Sequence, residues 1–516
     1  MAVWDAVVVG AGGSGAPLAR TLADFGMRVL LLEAGPAPSV APAPDAHSLA
    51  AALPGHPLAA TFPANLTDER AHLVVRGRGL GGSTATNGCY FRRARGHDLE
   101  RWARRSGDAR WAPASVAKAW AEIETDHDFG ENPGHGRHGP IQVTRGEVTH
   151  PVAAMLLSAA HDVGLADEPD KNADAGPGVG MTPMNALGGI RSDAHRAFLQ
   201  DSPPTLTIWT STTVQELLWE RHEIGRVAGV RVVREGVVIE VSAGEVILSA
   251  GALASAALLQ ISGIGPTRVL RAADVQVRHD LPVGLGFSDH PNVALDYRIA
   301  GPLLARDGGP ALGVSAHASS GVRDGGASDT VDGDIEVLSF HRPLGRMLGT
   351  DPGSSTLTLL CSTLVSAGGG ELSIVKASVA YPPRLHFHYR ESATEKDRLR
   401  AAVRLGAGLL TSAAAQEAGV QPVGWNSVIA EDDNAVEAWI DARLSTALHT
   451  CGTTPMGPPN DPRAVVDGQG RVHGVAGLRV ADTGILPDTP TGGPSATAAL
   501  IGVIIARAIA SSSPGH

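Results

Sequence analysis

The residues of this chain that are most clearly suited to chemistry form a glycine-rich turn near the N-terminus. An apolar run at residues 5–9 predicts a buried parallel strand, and it leads directly into Gly10-Ala11-Gly12-Gly13-Ser14-Gly15. A predicted helix at 16–25 and a second apolar strand at 28–32 follow, and that strand ends in Glu33. Strand, glycine turn, helix, strand and acid in this order are typical of a βαβ unit that binds a dinucleotide.

Each part of this pattern has a physical role in holding a dinucleotide. Gly10 permits a tight turn, Gly12 lets the backbone approach a pyrophosphate, and Gly15 allows the helix to pack closely on the strand. The helix N-terminus adds unpaired N–H groups and a partial positive charge for the phosphates. Glu33 can accept hydrogen bonds from a ribose 2′-OH, which disfavours NADP. The segment alone leaves FAD and NAD both open.

Four further blocks resemble the glucose–methanol–choline (GMC) family of flavin oxidoreductases. They are, in chain order, RGRGLGGSTATNG at 76–88, GALASAALLQISGIG at 251–265, LPVG at 281–284 with DHP at 289–291, and HTCGT at 449–453 with MG at 456–457 and GLRVAD at 477–482. One departure within them is Ala256, which stands where the family's second signature usually has proline. The blocks run in family order and cover nearly the whole chain.

The resemblance implies a fold as well as a cofactor. We expect an α/β protein that binds FAD on a discontinuous Rossmann-type domain, formed by residues 1–100, 200–295 and 440–516. The intervening residues, 101–199 and 296–439, are expected to form an α+β substrate domain that carries an antiparallel sheet.

The resemblance also implies which residues contact the flavin cofactor. They are Gly10, Ala11, Gly12, Gly13, Ser14, Gly15, Glu33, Ala34, Gly79, Gly82, Ser83, Asn87, Gly88, Cys89, Tyr90, Val214, Asp482 and Ser495. Val214, in a strand-like run at 207–218, is expected to meet the adenine end through its backbone. Ser495 begins an apolar helix whose N-terminus would direct positive charge at the flavin. Relatives with covalent flavin have a histidine at the position of Thr86, so FAD is predicted to be non-covalent.

His449 is the candidate catalytic base. Oxidation of an alcohol by hydride transfer requires loss of the hydroxyl proton, and a neutral imidazole can accept it. The family normally pairs this histidine with a second histidine or asparagine, and the alignment from Asp482 places Gly493 at that position. Glycine has no side chain to orient an alcohol, so ordinary turnover of small alcohols is in doubt.

Shorter strings resemble the branch of the family that is associated with the mycofactocin system. They are NGCYF at 87–91, EIETD at 122–126, HGPI at 138–141 and TPTGGP at 489–494. The branch has the same small residue at the position of Gly493. It implies a dehydrogenase that re-oxidises reduced mycofactocin (mycofactocinol), a peptide-derived redox cofactor, and passes electrons to the respiratory chain. Two alternatives stay open: a general alcohol dehydrogenase or oxidase, and a flavin-containing enzyme similar to hydroxynitrile lyases.

Composition narrows the remaining classes of function. A net charge of −11 argues against a nucleic-acid partner, and three scattered cysteines favour a reduced, cytoplasmic setting. No signal peptide is expected, and the apolar stretch 496–510 is interpreted as a buried helix too short to span a bilayer, with peripheral membrane contact left open. His386 and His388 share a strand-like run at 384–389 without a third ligand, so no metal site is predicted.

Overall fold

The structure is a computed structural model that describes residues 4–37, 45–220, 223, 225–299, 311–323, 331–366 and 368–512, without the side chain of residue 430. Over these residues the helices are α1 (Gly15–Asp24), α2 (Gly96–Ser106), α3 (Pro113–Ile123), α4 (Pro151–Asp162), α5 (Ala194–Phe198), α6 (Ala252–Ile261), α7 (Thr267–Ala272), α8 (Leu344–Leu348), α9 (Ala393–Thr411), α10 (Ala413–Glu417), α11 (Val428–Glu431), α12 (Asp433–Arg443) and α13 (Ser495–Ser512). Short 3₁₀ turns lie at Ala50–Ala52, Gly82–Ala85, Ala109–Trp111 and Thr483–Ile485.

A seven-stranded sheet carries the predicted βαβ unit. Its strands are β1 (Trp4–Val9), β2 (Val29–Leu32), β10 (Leu206–Trp209), β11 (Thr212–Trp219), β12 (Val227–Arg234), β13 (Val237–Leu248) and β23 (Leu478–Val480). The order β10-β2-β1-β13-β23 is parallel throughout, and the first half of β13 continues antiparallel into β12 and β11. The predicted run 207–218 is therefore two strands, with Val214 in the second.

The parallel part of this sheet is the predicted Rossmann-type core. All four residues of β2 are buried, as are the last four of β1, because both faces of a parallel sheet are covered. Both expected strands and the expected helix form within one residue of their predicted ends. The carboxyl ends of β1, β2, β13 and β23 meet at one edge, which is where open α/β sheets bind ligands.

A second, antiparallel sheet is the one expected from the family resemblance. Its order is β21 (Gln421–Val423), β15 (Pro291–Arg298), β18 (Leu357–Thr363), β17 (Ile335–Phe340), β16 (Leu312–Ala318) and β7 (Val179–Met181), with β22 (Ser445–Thr446) also on β15. Helix α9 packs on one face so closely that a Cβ on Gly406 would lie 2.5 Å from Cys361 Sγ. The opposite face is left to form the wall of a cavity.

A mixed five-stranded sheet joins the two proposed domains. Its order is β14 (Leu285–Phe287), β19 (Gly370–Ser373), β20 (Arg384–His386), β3 (Ala59–Thr67) and β4 (Arg70–Gly77). Two strand pairs complete the fold: β5 (Glu124–Asp126) with β6 (Ile141–Val143), and β8 (Ala186–Leu187) with β9 (Ile190–Arg191). The proposed domain boundary at 295/296 falls inside β15, so the antiparallel sheet uses residues from both sides of it.

The C-terminal helix α13 is longer than the sequence predicts. It has 18 residues and a mean hydropathy of 1.6, so by length and composition it could cross a membrane, and the expectation that it is too short is wrong. However, 72% of it is buried inside the protein, as the sequence interpretation requires. It packs on the start of α1, where a Cβ on Gly502 would lie 2.3 Å from the carbonyl oxygen of Ser14, the residue before the helix, and 2.9 Å from Pro17 Cγ.

This contact predicts different effects for two glycine-to-alanine substitutions within helices. Gly502→Ala forces α13 away from α1, and we expect a loss of about 1–3 kcal/mol in the free energy of unfolding, as for other overpacked sites. Gly408→Ala in α9 is the matched control, because its nearest neighbour is Val163 Cγ1 at 3.7 Å. There we expect a gain of about 0.5–1 kcal/mol from helix propensity. Denaturant unfolding measures both, and equal effects would contradict the packing argument.

Candidate active site

A large cavity lies where the carboxyl ends of the parallel strands face the antiparallel sheet. Its volume is about 1960 Å³, larger than the ~300–1,000 Å³ of typical small-molecule pockets. One side is formed by the turns that follow β1, β2, β13 and β23, and another by β3 and β4. The free face of the antiparallel sheet contributes Asn292, Glu336, Leu338, Leu360 and Ser362. The space can hold a large cofactor together with a substrate.

The glycine turn after β1 is held against the second glycine loop by backbone contact. A Cβ on Gly15 would lie 1.9 Å from the Gly10 carbonyl oxygen, so only glycine allows α1 to begin there. Gly82 has a φ of +52°, and a Cβ on it would lie 2.8 Å from Gly12 Cα. Among the described residues, the backbone N–H groups of Gly12, Gly13 and Ser14 have no hydrogen-bond partner. These groups can bind phosphate oxygens at the start of α1.

Glu33 is buried at the end of β2, and its carboxylate joins three loops. Oε2 accepts a hydrogen bond from Ala11 N at 3.1 Å, and Oε1 accepts from Gly35 N at 2.8 Å and Gly79 N at 3.0 Å. Burial raises the pKa of Glu33, and these backbone donors oppose that shift. Since a carboxylate has about four acceptor positions, Glu33 retains capacity for a ribose hydroxyl on its cavity side.

Asp482 plays a similar structural part after β23. Its Oδ2 accepts hydrogen bonds from Gly251 N at 3.0 Å and Ser255 Oγ at 2.5 Å, and its Oδ1 accepts from Gly484 N at 2.9 Å. Burial raises the pKa of Asp482 to about 6, against the effect of these donors. The side chain therefore fixes the N-terminus of α6 beside the C-terminal block at the cavity edge.

The loop at 82–88 is held in place by Arg191, which the sequence interpretation missed. The guanidinium is buried and donates to Asn87 Oδ1 at 2.8 Å and to the Thr84 carbonyl at 3.3 Å. Asn87 Nδ2 in turn donates to Ser495 Oγ at 3.4 Å, at the first residue of α13. The N-termini of α1 and α13 are thereby brought to the same side of the cavity.

Most of the residues predicted to contact the cofactor reach the cavity surface. Those that line it are Gly10, Gly12, Gly13, Ser14, Glu33, Ala34, Gly82, Ser83, Asn87, Gly88, Tyr90, Val214, Asp482 and Ser495. Ala11, Gly15, Gly79 and Cys89 are not among the residues that line this cavity. Ala11 and Gly79 direct their N–H groups at Glu33, Gly15 packs on Gly10, and Cys89 lies in an apolar cluster.

His449 lines the end of the cavity next to Gly493, and its ring is oriented by His290. The two Nδ1 atoms lie 3.0 Å apart, and the ring planes are nearly perpendicular. Only one proton fits between two such nitrogens. When His449 Nδ1 donates it, Nε2 carries a lone pair; no hydrogen bond within the described ranges uses Nε2. The ring can then accept a proton from a substrate hydroxyl.

Asp289 fixes the backbone at both histidines. Its Oδ1 accepts hydrogen bonds from His290 N at 2.7 Å, His449 N at 3.0 Å and Thr446 Oγ1 at 3.1 Å. Its Oδ2 accepts from Thr450 Oγ1 at 2.6 Å. The DHP and HTCGT blocks, which are distant in sequence, are therefore one structural unit organised by a buried carboxylate.

Arg76 adds positive charge at this end of the cavity. Its guanidinium at the end of β4 donates to the Leu448 carbonyl and, at 2.9 Å, to Thr450 Oγ1. Burial, with the charge of Arg76 as a second cause, lowers the pKa of His449 to about 3. The imidazole is therefore neutral at neutral pH, and its protonation becomes favourable only when negative charge develops beside it.

The space next to His449 Nε2 is bounded by Gly493 and Tyr90. A Cβ on Gly493 would lie 3.5 Å from His449 Nε2 and 3.0 Å from Tyr90 Cδ1. Tyr90 is buried and donates its hydroxyl proton to Glu336 Oε1 at 2.6 Å, and both residues line the cavity. Glu336 is the only acid in β17 and was not singled out from the sequence. A lone carboxylate in an apolar strand is the signal that could have found it.

Two groups of residues have side chains of the kind that bind metal ions. β20 ends at His386, and His388 adopts a φ of +54°, so the predicted strand-like run is shorter than expected. A separate cluster of Glu124, Asp126 and His135 has ligand atoms close together. There Asp126 and two further carboxylates raise the pKa of His135 to about 10, against the effect of burial, so a charged imidazolium already neutralises the acids.

Comparison with known proteins agrees with this geometry. Residues 4–292 and 367–502 match the N- and C-terminal profiles of the GMC oxidoreductases. An uncharacterised GMC-type oxidoreductase of Rhodococcus erythropolis is 33% identical over 96% of each chain. The 5-(hydroxymethyl)furfural oxidase of Methylovorus sp. is 31% identical over 98% of each. The crystal structure of pyridoxine 4-oxidase from Mesorbium loti superposes with a TM-score of 0.85 at 26% identity, covering 98% of this chain and 99% of that one.

The chain belongs to the GMC oxidoreductase family and is an FAD-dependent oxidoreductase that acts on CH–OH groups. The residues present fit FAD, because the free N–H groups at α1, the cavity side of Glu33 and the volume beyond them match a large dinucleotide. When bound, FAD supplies the acceptor for the hydride. The side chains of this protein bind the substrate, exclude water and hold the hydroxyl proton.

The low pKa of His449 makes a prediction about pH. A base with an ordinary pKa near 6.5 loses about tenfold in its neutral form per pH unit below that value. Because the pKa of His449 is lowered to about 3, the neutral form persists down to that range. We expect the rate constant of flavin reduction to stay flat from pH 8 to pH 5, measured by anaerobic stopped-flow absorbance with FAD content checked at each pH. A tenfold loss with an apparent pKa near 6.5 would contradict this account of the site.

Proposed function

We propose that this enzyme oxidises a secondary or primary hydroxyl of a bulky substrate, with His449 as the base, and that the substrate is reduced mycofactocin (mycofactocinol). The observation that carries the proposal is Gly493, which places no side chain of its own beside His449 Nε2. A bulky substrate therefore meets the flat ring of Tyr90 there, and no polar side chain from residue 493.

The size and lining of the cavity support a large substrate. Its volume of about 1960 Å³ leaves room beyond the part beside the glycine turns and α1. At the mouth, Leu73, Val379 and Tyr381 are exposed and apolar, with exposed fractions of 50%, 37% and 46%. Such a mouth favours a substrate with apolar surface over a small polar alcohol.

In the proposed reaction the protein positions two atoms of the substrate. The hydroxyl hydrogen faces His449 Nε2, which accepts the proton, and the carbon-bound hydrogen leaves as hydride. Asp289 and His290 keep the ring in this orientation. Arg76 and the N-terminus of α13 provide positive potential that favours the negative charge formed in the step.

We infer that the enzyme is a cytoplasmic dehydrogenase whose electrons pass to the respiratory chain. Burial raises the pKa of Cys89 to about 11, and Cys451 and Cys361 are buried as well, so these thiols stay protonated. A direct role for them in relaying electrons is therefore not part of the proposal. Peripheral contact with a membrane would fit delivery to a respiratory acceptor.

A second candidate is oxidation of a smaller ring alcohol. The relatives named for 5-(hydroxymethyl)furfural and pyridoxine are 31% and 26% identical to this chain over nearly its full length. Such compounds would also fit beside Gly493 and Tyr90, and they would be turned over with oxygen if the enzyme is an oxidase.

The central test mixes purified enzyme anaerobically with reduced mycofactocin and follows the oxidised flavin band. We expect rapid bleaching in the wild type, and a loss of about 100-fold or more in His449→Ala with FAD retained, because a general base contributes about 10²–10⁴-fold. His161→Ala, an exposed histidine outside the cavity, is the matched control and should behave as wild type. No bleaching with reduced mycofactocin, but rapid anaerobic bleaching with 5-(hydroxymethyl)furfural and peroxide formation once air is admitted, would favour the second candidate.

Thr86 predicts that FAD is held without a covalent bond. The residue lines the cavity, and its hydroxyl donates to the Ser83 carbonyl at 3.4 Å. A threonine hydroxyl is a much poorer nucleophile than the imidazole that relatives with covalent flavin have at this position. We expect acid precipitation to release all the yellow colour into the supernatant as intact FAD, measured by absorbance and mass spectrometry. Flavin that remains in the washed precipitate would contradict the prediction.

A further inference from the structure

Gly493 has no side chain to place beside His449, but another residue fills part of that space. A Cβ on Gly493 would lie 3.0 Å from Tyr90 Cδ1 and 3.5 Å from Tyr90 Cε1. The ring of Tyr90 therefore occupies the volume into which a longer side chain at 493 would extend. The same Cβ position is 3.5 Å from His449 Nε2, so the tyrosine ring and the imidazole flank one point.

Hydrogen bonds hold the segment that carries Gly493 in its position next to Tyr90. Asp98, which is buried at the start of α2, accepts hydrogen bonds from Thr491 N and Thr491 Oγ1, each at 2.9 Å. One residue along, a Cβ on Gly492 would lie 3.0 Å from Arg92 Cδ. The two consecutive glycines thus make room for Tyr90 and Arg92, which are two residues apart and on one face of an extended segment.

The hydroxyl end of Tyr90 is held by a network of buried polar side chains. Its hydroxyl donates to Glu336 Oε1 at 2.6 Å, and His317 Nε2 lies 2.9 Å from the same oxygen. Arg92 contacts His317, whose other nitrogen, Nδ1, lies 3.2 Å from Lys171 Nζ. Glu336 Oε2 has no hydrogen-bond partner in the described part of the chain, although the residue lines the cavity. The network thus brings polar atoms to the cavity at the point where the family's second catalytic side chain is missing.

We propose that Tyr90, positioned by Glu336, is the second group that binds the substrate hydroxyl, opposite His449. In the structure the Tyr90 hydroxyl donates a hydrogen bond to Glu336 Oε1. When the Glu336 carboxyl carries a proton, that carboxyl donates to the Tyr90 oxygen and the Tyr90 hydroxyl donates to the substrate oxygen. Tyr90 undergoes no net change in the reaction. The hydroxyl proton goes to His449 Nε2, the hydride goes to FAD, and the substrate carbon becomes a carbonyl.

This arrangement has a consequence for specificity. The ring of Tyr90 gives one flat apolar wall beside Gly493, and Glu336 Oε2 offers an acceptor next to it. A substrate with a second hydrogen-bond donor near the reacting hydroxyl would satisfy both groups, whereas a simple alkyl alcohol would leave the carboxyl oxygen unpaired. The inference rests on the proposed hydroxyl oxidation but holds for either candidate substrate.

The first test is Tyr90→Phe, which removes the hydroxyl and keeps the ring against Gly493. We expect the rate constant of flavin reduction to fall about 100-fold, as on removal of one preorganised hydrogen-bonding group, with FAD content unchanged and a lower melting temperature, because the buried Glu336 loses a donor. Tyr297→Phe is the matched control, because its buried hydroxyl has no hydrogen-bond partner among the described residues and lies off the cavity. The probe is whichever of reduced mycofactocin, 5-(hydroxymethyl)furfural and pyridoxine bleaches the wild-type flavin fastest.

A readout without turnover separates binding from chemistry. The carbonyl product is titrated into oxidised enzyme, and its Kd is obtained from the change in flavin absorbance. We expect Kd to rise about tenfold in Tyr90→Phe and to be unchanged in Tyr297→Phe. Glu336→Gln retains an acceptor for the Tyr90 hydroxyl, so it should keep most of the rate that Glu336→Ala loses.

A steric exchange between the two positions gives an independent test. Gly493→Asn should be slow alone, because its Cβ meets the Tyr90 ring, and Tyr90→Ala should be slow alone. The double variant should be at least tenfold faster than Tyr90→Ala, because asparagine then takes the vacated space beside His449. Tyr90→Phe within twofold of the wild-type rate, or a double variant no faster than Tyr90→Ala, overturns the proposal. Failure of reduced mycofactocin alone as a substrate contradicts only the proposed function.

Discussion

The buried carboxylate of Asp289 is the interaction on which the reactive end of the cavity depends. It accepts hydrogen bonds from two backbone N–H groups and two threonine hydroxyls, which belong to segments about 160 residues apart in sequence. An unpaired carboxylate in this position would be very unfavourable, so the four donors and the acid stabilise one another. His449 and His290 are placed by this unit, and Arg76 links it to the five-stranded sheet through the Leu448 carbonyl and Thr450.

The same burial that organises this end also sets its electrostatics. Burial lowers the pKa of His449 and of His290 to about 3, and in each case a neighbouring positive or polar group acts in the same direction. A neutral imidazole pair costs less to bury than a charged one. Both imidazoles are therefore neutral at neutral pH. Beside the glycine turn, the backbone N–H groups of Gly12, Gly13 and Ser14 provide further positive potential.

The parts of this architecture that could be predicted from sequence are those encoded locally. The spacing of Gly10, Gly12 and Gly15 and the acid at 33 predict the βαβ unit because turn geometry, helix packing and backbone approach each require specific residue types at fixed separations. Ala11 and Gly79 donate their N–H groups to Glu33 and Gly15 packs on Gly10; the sequence could not predict these contacts, since a motif identifies a loop without saying which of its atoms face inward. The length of α13 was underestimated because polar residues at its end continue the helix past the apolar run.

The Tyr90 site could not be predicted in this way, because its contacts join residues 246 and about 400 positions apart. Only the fold brings β17, the segment after the glycine loop and the C-terminal block together. This packing explains the two glycines at 492 and 493, because larger residues there would collide with Arg92 and Tyr90. In sequence, Gly493 looks like the loss of a catalytic side chain. In the structure the ring of Tyr90 packs directly against Gly493. The absence of a side chain at 493 and the aromatic ring at 90 therefore belong to one packing contact. A side chain added at 493, or loss of the ring at 90, is therefore expected to be tolerated only when the other position changes with it, which is a property of a packed contact and not of either residue alone.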